Sequence, residues 1–229
     1  MAGRYAVYFV PPEQSEFYRL GATLLGRSVF SENSPQLEKR EAPPCPDREY
    51  LTAEPRFYGF HGTIKAPFEL NGSKNELMAA LAKLAAETRP FKLPPLKVSF
   101  VEAKFLALTL SRESRELADL EKKCLVCLRG LSAPLSPADI ERRGRLAPRL
   151  AENLKNWGYH LVLDDFKFHM TLTGPVDSGR TAAALIKFME EYFQPVLARE
   201  NIFGALTLLY QEDRERPFTA LKVFPLNGE

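Results

Sequence analysis

Two short stretches of the chain alternate apolar and polar side chains in the same order, Phe60–Ile64 (FHGTI) and Phe168–Leu172 (FHMTL). Alternation with a period of two among aromatic and β-branched residues predicts a strand. Because successive side chains of a strand point to opposite faces, each copy places an imidazole and a hydroxyl on one face and apolar side chains on the other. We therefore expect two strands that each have a polar face and a buried backing.

The order of elements after each copy is also repeated. Both copies are followed by a proline-containing turn, a helix and a hairpin, and the two histidines are 108 positions apart. This separation is too long for a solenoid repeat, so it favours two similar lobes, with two unrelated segments and a chance match as the alternative. The helices are predicted to begin at Ser73 and near Ser178, and the hairpin strands to be Leu96–Val101, Phe105–Leu110, Ala205–Gln211 and Phe218–Phe224.

The remaining pattern predicts an α+β fold of one bilobal domain, residues 1–229. Its strands fall into two groups separated by helices, which is typical of antiparallel sheets with segregated helices. The lobes are expected at 1–111 and 112–229, and an exchange of strands between them stays open. Residues 26–56 hold many prolines and are expected to form a long loop over the site. The other predicted elements are a strand over Tyr5–Val10 and helices over 13–25, 112–131 and 136–157.

Composition and charge change this picture little. The chain has 229 residues, of which 45% are hydrophobic and 26% are charged, and its net charge is +2. So small a charge gives no bulk attraction to nucleic acid or to a membrane surface. The sequence has no apolar run long enough to cross a bilayer, and its N-terminus lacks the layout of a signal peptide, so we expect a cytoplasmic protein.

The three cysteines form no even disulfide framework. Cys124 and Cys127 lie on an apolar stripe of the predicted helix 112–131, so both are expected to be buried, reduced thiols. A redox pair is the alternative interpretation. A zinc site is weaker still, because no second pair of cysteines or histidines lies nearby in the sequence.

The paired histidines carry the chemical prediction. A neutral imidazole takes up a proton near pH 7 and an imidazolium returns one, so His61 and His169 can serve the two ends of one displacement at phosphorus. Thr63 and Thr171 can donate hydrogen bonds to the phosphoryl oxygens. These groups suffice without a cofactor or a metal, and the two motifs offer no carboxylate at ligand spacing.

The duplicated H-x-T-[I/L] pattern resembles the two-histidine (2H) phosphoesterase superfamily. The resemblance covers nearly the whole chain. Within that superfamily, Arg56–Phe68 and Phe168–Gly174 resemble an uncharacterised branch that is often found with phosphonate-utilisation genes. The resemblance implies two lobes of antiparallel sheet with outer helices, a cleft lined by both motifs, and a metal-independent cyclic phosphodiesterase.

The resemblance also implies roles for particular residues. His61 and His169 would be the acid–base pair, and Thr63 and Thr171 would hold the phosphate. The expected ligand is a small cyclic phosphate, with an RNA end as the alternative, and neither a membrane nor a protein partner is implied. Phosphate binding without catalysis in the same cleft is the competing function, and His160, which lacks the pattern, is expected to be structural or on the surface. Strand alternation places Lys65 on the face of Thr63 and Thr173 on the face of Thr171. Further substrate contacts are expected at Lys65, Thr173, Arg56, Tyr58 and Tyr5, with a purely structural role as the alternative for Lys65, Arg56, Tyr58 and Tyr5.

Overall fold

The computed structural model describes residues 3–31, 45, 47–176 and 180–228. No helix among these residues is long and apolar enough to cross a membrane. The strands are β1 (Arg4–Phe9), β2 (Gly62–Glu69), β3 (Phe91–Leu93), β4 (Leu96–Val101), β5 (Phe105–Leu110), β6 (His169–Pro175), β7 (Asn201–Phe203), β8 (Ala205–Gln211) and β9 (Thr219–Pro225). The helices are α1 (Glu16–Leu25), α2 (Arg48–Tyr58), α3 (Lys74–Ala86), α4 (Arg115–Cys127), α5 (Pro137–Glu141), α6 (Pro148–Trp157) and α7 (Arg180–Leu197), with a short 3-10 helix at Leu163–Asp165.

The strands form antiparallel sheets, as predicted. One sheet has the order β2-β1-β8-β9, a second has the order β4-β5-β6, and β3 pairs with β7. Each of the two larger sheets combines strands from both halves of the chain, since β2 shares a sheet with β8 and β9 whereas β6 pairs with β5. The α+β fold with antiparallel sheets is confirmed, and the division into lobes at residue 111 stays a prediction.

The apolar backing that was predicted for both motif strands is buried. Phe60 and Phe168, which directly precede the two histidines, are 0% and 6% exposed. Met170 and Leu172 are also buried, and the ring of Phe9 lies 5.9 Å from that of Phe168. Each such side chain contributes about 1.5–3 kcal/mol when it is fully buried. The backing therefore anchors the backbone from which both histidines project.

Two helical regions differ from the sequence prediction. Residues 48–58, most of which fall in the expected loop 26–56, form α2, and Pro55 lies near its C-terminal end. Residues 32–44 and 46 of that expected loop lie outside the described residues. The predicted helix 136–157 is divided into α5 and α6, because Gly144 adopts a left-handed φ of 65° and Pro148 suits the first turn of a new helix.

The two cysteines of the C-x-x-C sequence have different environments. Cys124 is buried, as predicted, whereas Cys127 is exposed, so the prediction of two buried thiols is wrong for Cys127. Residues three apart on a helix differ by about 60° around its axis. Helix α4 buries Leu117, Leu120 and Cys124 on one stripe, and Cys127 lies outside it.

Candidate active site

The histidine of the first motif is held by the backbone just before β2. Its Nδ1 is 2.8 Å from the carbonyl oxygen of Gly59, which ends α2 at φ 76°. A carbonyl oxygen only accepts, so Nδ1 of His61 carries the proton and Nε2 keeps its lone pair. The hydroxyl of Thr63 lies 3.3 Å from Nε2 and donates to it. The first motif thus presents a basic nitrogen beside a hydroxyl group.

The second motif repeats this arrangement at the start of β6. Nδ1 of His169 is 2.7 Å from the carbonyl oxygen of Lys167, again two residues earlier in the chain. The same argument leaves Nε2 of His169 as the nitrogen with the lone pair. Strand β5 fixes the register, because Thr109 pairs with His169 and Ala107 pairs with Thr171.

Both motifs line one cleft with a volume of about 610 Å³, which is within the usual range for small ligands. His61, Thr63, His169 and Thr171 all contribute to its wall. The motifs approach closely because residue 62 is glycine, since a Cβ atom there would lie 2.3 Å from the ring of Phe168. The structure therefore brings the four motif residues together, while their roles in a reaction stay a prediction.

Burial lowers the pKa of both histidines. The pKa of His61 is about 4, because burial outweighs the hydrogen bond to Gly59 and the neighbouring His169 lowers it further. The pKa of His169 is also lowered by burial, but the carbonyl of Lys167 and the carboxylate of Glu102 oppose this decrease. Both imidazoles are consequently neutral at pH 7 in the unliganded protein, and Glu102 favours a proton on His169.

Two tyrosines cover His61. Tyr8 on β1 is buried and stacks on the imidazole, with 3.7 Å between ring centroids and 21° between planes. The ring of Tyr58 lies 6.3 Å from that of His61 and stacks on Phe218. These rings restrict access of water to His61, which disfavours its charged form. Tyr58 lines the cleft. Its contact with a substrate stays a prediction.

Lys65 does not line the cleft, so the expectation from strand alternation is wrong. Val7 and Tyr8 are adjacent on β1, but their partners on β2, Lys65 and Thr63, are two residues apart. Ile64 is therefore the extra residue of a bulge. A bulge interrupts the alternation of faces. Lys65 is 4% exposed, and its Nζ donates to the carbonyl oxygen of Trp157 at 3.3 Å. It lies near the buried carboxyl group of Glu121, whose pKa burial raises to about 7.

Three other predicted contacts are engaged in the fold. Thr173 borders the cleft but is fully buried, and its hydroxyl accepts from a backbone N–H of β5 at 3.1 Å. Nε of Arg56 donates to a carbonyl at the end of α1 at 2.8 Å. Tyr5 packs on Tyr210 with ring centroids 5.0 Å apart. Arg56 and Tyr5 do not line the cleft.

Several cleft residues were not selected from the sequence. Glu102, in the turn between β4 and β5, has a left-handed φ of 52° and lies 3.4 Å from Nε2 of His160. His160 is 8% exposed and lines the cleft, so it is buried as a structural residue would be and also borders the site. Neither residue belongs to a repeated or periodic pattern. Only the tertiary fold brings the two side chains to the cleft.

The cleft offers ligands for an anion. Its wall includes Arg4, Arg142, Arg143 and Arg214. A guanidinium group stays charged and its fork of N–H donors matches a phosphate group. Across the part of the chain that the structure describes, His, Cys, Asp and Glu side chains form no group of three that could hold a metal ion.

A family model agrees with most of this region. Residues 63–219 match the family described as "Protein of unknown function (DUF1045)". The chain belongs to the DUF1045 family. The matched part begins at Thr63 of the first motif, includes the whole second motif and ends at the start of β9.

Two curated relatives of this DUF1045 chain carry the name ribose 1,5-bisphosphate phosphokinase PhnN. The protein from Janthinobacterium sp. (strain Marseille) is 30% identical over 233 residues, which cover 99% of this chain and 51% of that protein. The protein from Laribacter hongkongensis (strain HLHK9) is 32% identical over 199 residues, which cover 84% of this chain and 46% of that protein. The chain therefore spans about half the length of the curated relatives it matches.

Solved structures that are similar to this DUF1045 chain share little sequence with it. A crystal structure of a phosphoesterase is 15% identical with a TM-score of 0.45, and the match covers 99% of each chain. A crystal structure of E. coli LigT complexed with 3'-AMP is 14% identical with a TM-score of 0.44, and that match also covers 99% of each chain. The chemistry of this chain therefore has to follow from its own cleft residues.

Proposed function

We propose that this chain is a phosphodiesterase that opens a cyclic phosphate by acid–base catalysis from His61 and His169. The observation that carries the proposal is the shared geometry of the two imidazoles. In each, Nδ1 bonds to a carbonyl two residues earlier, and both rings line one cleft. Each Nε2 is thereby left for proton transfer. Two such nitrogens match the two proton transfers that hydrolysis of a diester needs.

In the proposed reaction, water attacks the phosphorus atom of the cyclic diester. Nε2 of His61 takes a proton from the water as the new P–O bond forms. Nε2 of His169 gives a proton to the leaving ester oxygen of the cyclic phosphate as the old P–O bond breaks. The products are a phosphate monoester and a free hydroxyl, and proton exchange with solvent restores both imidazoles. Thr63 and Thr171 donate to the non-bridging oxygens, where negative charge accumulates.

The surroundings of the two rings support His61 as the base and His169 as the acid. A bound phosphate diester is negative, and a negative charge nearby raises the pKa of an imidazole. Glu102 acts in the same direction on His169, whereas burial keeps the pKa of His61 at about 4. His169 is therefore the first of the two to bind a proton, and His61 keeps the lone pair that accepts one from water.

The relatives suggest the substrate. Their name is ribose 1,5-bisphosphate phosphokinase, and this chain matches about half of their length. The chain contains no G-x-x-x-x-G-K-[ST] sequence, which forms the phosphate-binding loop of many ATP-dependent proteins. We therefore assign a kinase reaction to the part of the relatives that this chain does not span. Hydrolysis of ribose 5-phosphate 1,2-cyclic phosphate at the 2-oxygen yields ribose 1,5-bisphosphate, so this cyclic ester is the proposed substrate.

Turnover in the presence of EDTA tests the proposed function. Ribose 5-phosphate 1,2-cyclic phosphate, a 2′,3′-cyclic nucleotide and an RNA that ends in a cyclic phosphate are each incubated with the wild type, His61→Ala and His169→Ala. Phosphorus NMR identifies the products. We expect the ribose ester to be opened fastest and each variant to lose about a hundredfold or more in kcat/KM. Arg89→Ala, at an exposed position outside the cleft, is the control that retains activity.

Three outcomes would contradict parts of this proposal. A wild type that hydrolyses none of the esters but gains thermal stability from one of them would make the cleft a binding site without catalysis. Equal rates for the wild type and both histidine variants would place the activity elsewhere. Fastest turnover of the RNA would keep the two-histidine reaction and replace the substrate.

A further inference from the structure

Arg4, at the start of β1, is a half-buried cation with no carboxylate in ion-pair contact among the described residues. Its Nε donates to Oε1 of Gln211 at 2.8 Å, and Nη2 donates to the same oxygen. The amide of Gln211 is fixed in turn, because its Nε2 donates to the carbonyl oxygen of Arg216 at 2.6 Å. Glu69 pairs with Arg4 across the β1–β2 ladder, yet their charged groups are not in contact. A neutral amide thus orients Arg4 and leaves its charge uncompensated.

Arg4 lies beside two arginines that share one carboxylate in ion-pair contact. Glu54 and Glu69 also line the cleft but form no ion pair with these arginines. Nη2 of Arg214 donates to Oδ1 of Asp139 at 2.7 Å, and Arg142 contacts the same oxygen. Burial is the main cause that lowers the pKa of Arg4, and the positive charge of Arg214 is the next. The two guanidinium groups are therefore close enough to repel each other. We call Arg4, Arg142, Arg214 and Asp139 the arginine cluster. Its three cations and one anion give these four residues a net charge of +2.

The arginine cluster and the two histidines lie on the same cleft. Tyr58 connects them, because its ring is 6.3 Å from that of His61 and its hydroxyl lies near Arg4. Strand β1 connects them as well. Tyr8, which stacks on His61, lies four residues, or about 13 Å, along the strand from Arg4. The histidines and the arginine cluster therefore face one continuous cleft.

We propose that the arginine cluster is a second phosphate site, which binds a phosphate monoester of the substrate while the cyclic phosphate lies between the two histidines. This inference rests on the proposed function for the identity of the sugar. A phosphate monoester carries a charge of about −1.5 to −2 near pH 7, which matches the net charge of the cluster. A guanidinium group binds it through two parallel hydrogen bonds. The cyclic diester carries a single negative charge, so the two sites distinguish the ends of the substrate and orient it.

A structural role for Arg4 makes a different prediction. Through Gln211, Arg4 links the adjacent strands β1 and β8. If this link were its only role, replacing Arg4 would lower stability and would weaken all ligands equally. A second phosphate site requires that the loss fall on ligands that carry the second phosphate.

Binding of two monoesters tests the second site without requiring turnover. Titration calorimetry compares ribose 1,5-bisphosphate with ribose 1-phosphate on the wild type, Arg4→Gln, Arg214→Gln and the exposed control Arg89→Gln. We expect the wild type and the control to prefer the bisphosphate by about tenfold or more. Each cluster variant is expected to lose most of this preference while it binds ribose 1-phosphate as before. Arg4→Lys, which keeps the charge without the planar fork, is expected to retain part of it.

The outcomes separate this inference from the proposed function. Equal affinity of the wild type for both sugars, or an equal loss for both in the cluster variants, would overturn the second site. If Arg4→Gln has a strongly lowered Tm, Arg214→Gln in the turn between β8 and β9 decides the question. His61→Ala is expected to lose turnover and keep the preference. A preference for the bisphosphate without turnover of any cyclic ester would support the second site and reject the phosphodiesterase.

Discussion

The two copies of the motif have the same backbone geometry and different surroundings. In both, Nδ1 of the histidine bonds to the carbonyl two residues earlier, at 2.8 Å for His61 and 2.7 Å for His169. His61 lies against the ring of Tyr8, whereas His169 lies in the field of the Glu102 carboxylate. The local sequence therefore sets the tautomer of each histidine, and residues from other elements set its affinity for a proton.

This difference explains how a duplicated motif can provide two unlike groups. Two identical imidazoles in identical surroundings would have no reason to divide the roles of acid and base. Tyr8 comes from β1, and Glu102 comes from the turn between β4 and β5, so neither belongs to the repeated sequence. The asymmetry of the proposed reaction thus arises outside the motif, and the experiments below test it.

The largest expected effect is the loss of activity when either histidine is replaced, and its dependence on the leaving group distinguishes the acid from the base. On the ribose cyclic phosphate, His61→Asn and His169→Asn are each expected to lower kcat about a hundredfold to ten-thousandfold, the usual contribution of a general acid or base. A p-nitrophenolate ion leaves without a proton, so on bis(p-nitrophenyl) phosphate the defect of His169→Asn should nearly vanish. The defect of His61→Asn should persist, because water still has to lose a proton. Steady-state kinetics with both substrates measure the two ratios.

The reverse pattern would exchange the roles of the two histidines. An aryl ester that rescues His61→Asn and not His169→Asn would make His61 the acid. Equal rescue of both variants would mean that neither role is fixed by the surroundings. Arg89→Gln, at an exposed position outside the cleft, controls for general effects of substitution.

The low pKa of His61 predicts a loss of stability in acid. Its pKa is about 4 in the folded protein and about 6.5 in an unfolded chain. The unfolded chain therefore binds more protons between these values, and the free energy of unfolding falls as the pH falls from about 6.5 to 4, by at most about 3 kcal/mol. His61→Gln should lose less stability than the wild type over this range. Urea unfolding at several pH values measures the difference, and parallel curves for both proteins would contradict it.

Strand alternation predicted much of the fold, and it failed after the first motif. Strands β4, β5 and β8 match the predicted ranges residue for residue, because their apolar periodicity is a local signal. Lys65 and Thr173 were expected to share a face with the motif threonines. In β2, however, the pairing register shifts just after Thr63, and Lys65 does not line the cleft, whereas Thr173 borders it. A bulge depends on the partner strand, so a single sequence does not reveal it.

The duplicated motif residues, together with Tyr58 and Thr173, were the cleft residues that the sequence predicted. A histidine and a threonine that recur in one pattern stand out from the rest of the chain. Arg4, Glu102 and Arg214 lie at the start of a strand and in two turns, and nothing in their local sequence links them. Helix α2 was missed for a different reason, since Pro55 and its proline-rich surroundings favour a loop.

The two threonines sharpen the comparison at a smaller scale. Thr63→Val and Thr171→Val each remove a hydroxyl at nearly constant shape, and we expect each to lower kcat/KM about tenfold through a lost hydrogen bond to the phosphate. Only Thr63 donates to Nε2 of its histidine in the unliganded protein, at 3.3 Å. A hydrogen bond to the neutral form lowers a pKa, so Thr63→Val should also raise the pKa of His61. The acid limb of the profile of kcat/KM against pH should then move to higher pH in Thr63→Val and stay in place in Thr171→Val.

The smallest expected effect concerns the carboxylate that distinguishes His169. Glu102→Gln removes a negative charge that raises the pKa of His169. The variant therefore loses the proton of His169 at lower pH, and the alkaline limb of kcat/KM against pH moves to lower pH. The side chain of Glu102 is 51% exposed, so water and salt weaken its field, and we expect a change of only a few-fold on that limb. Because salt screens exposed charges, wild type and variant should converge at high ionic strength. Glu212→Gln, on an exposed position outside the cleft, is the matched control. A shift of the acid limb instead would mean that Glu102 acts through the base, and the division of roles between the two copies would have to be reversed.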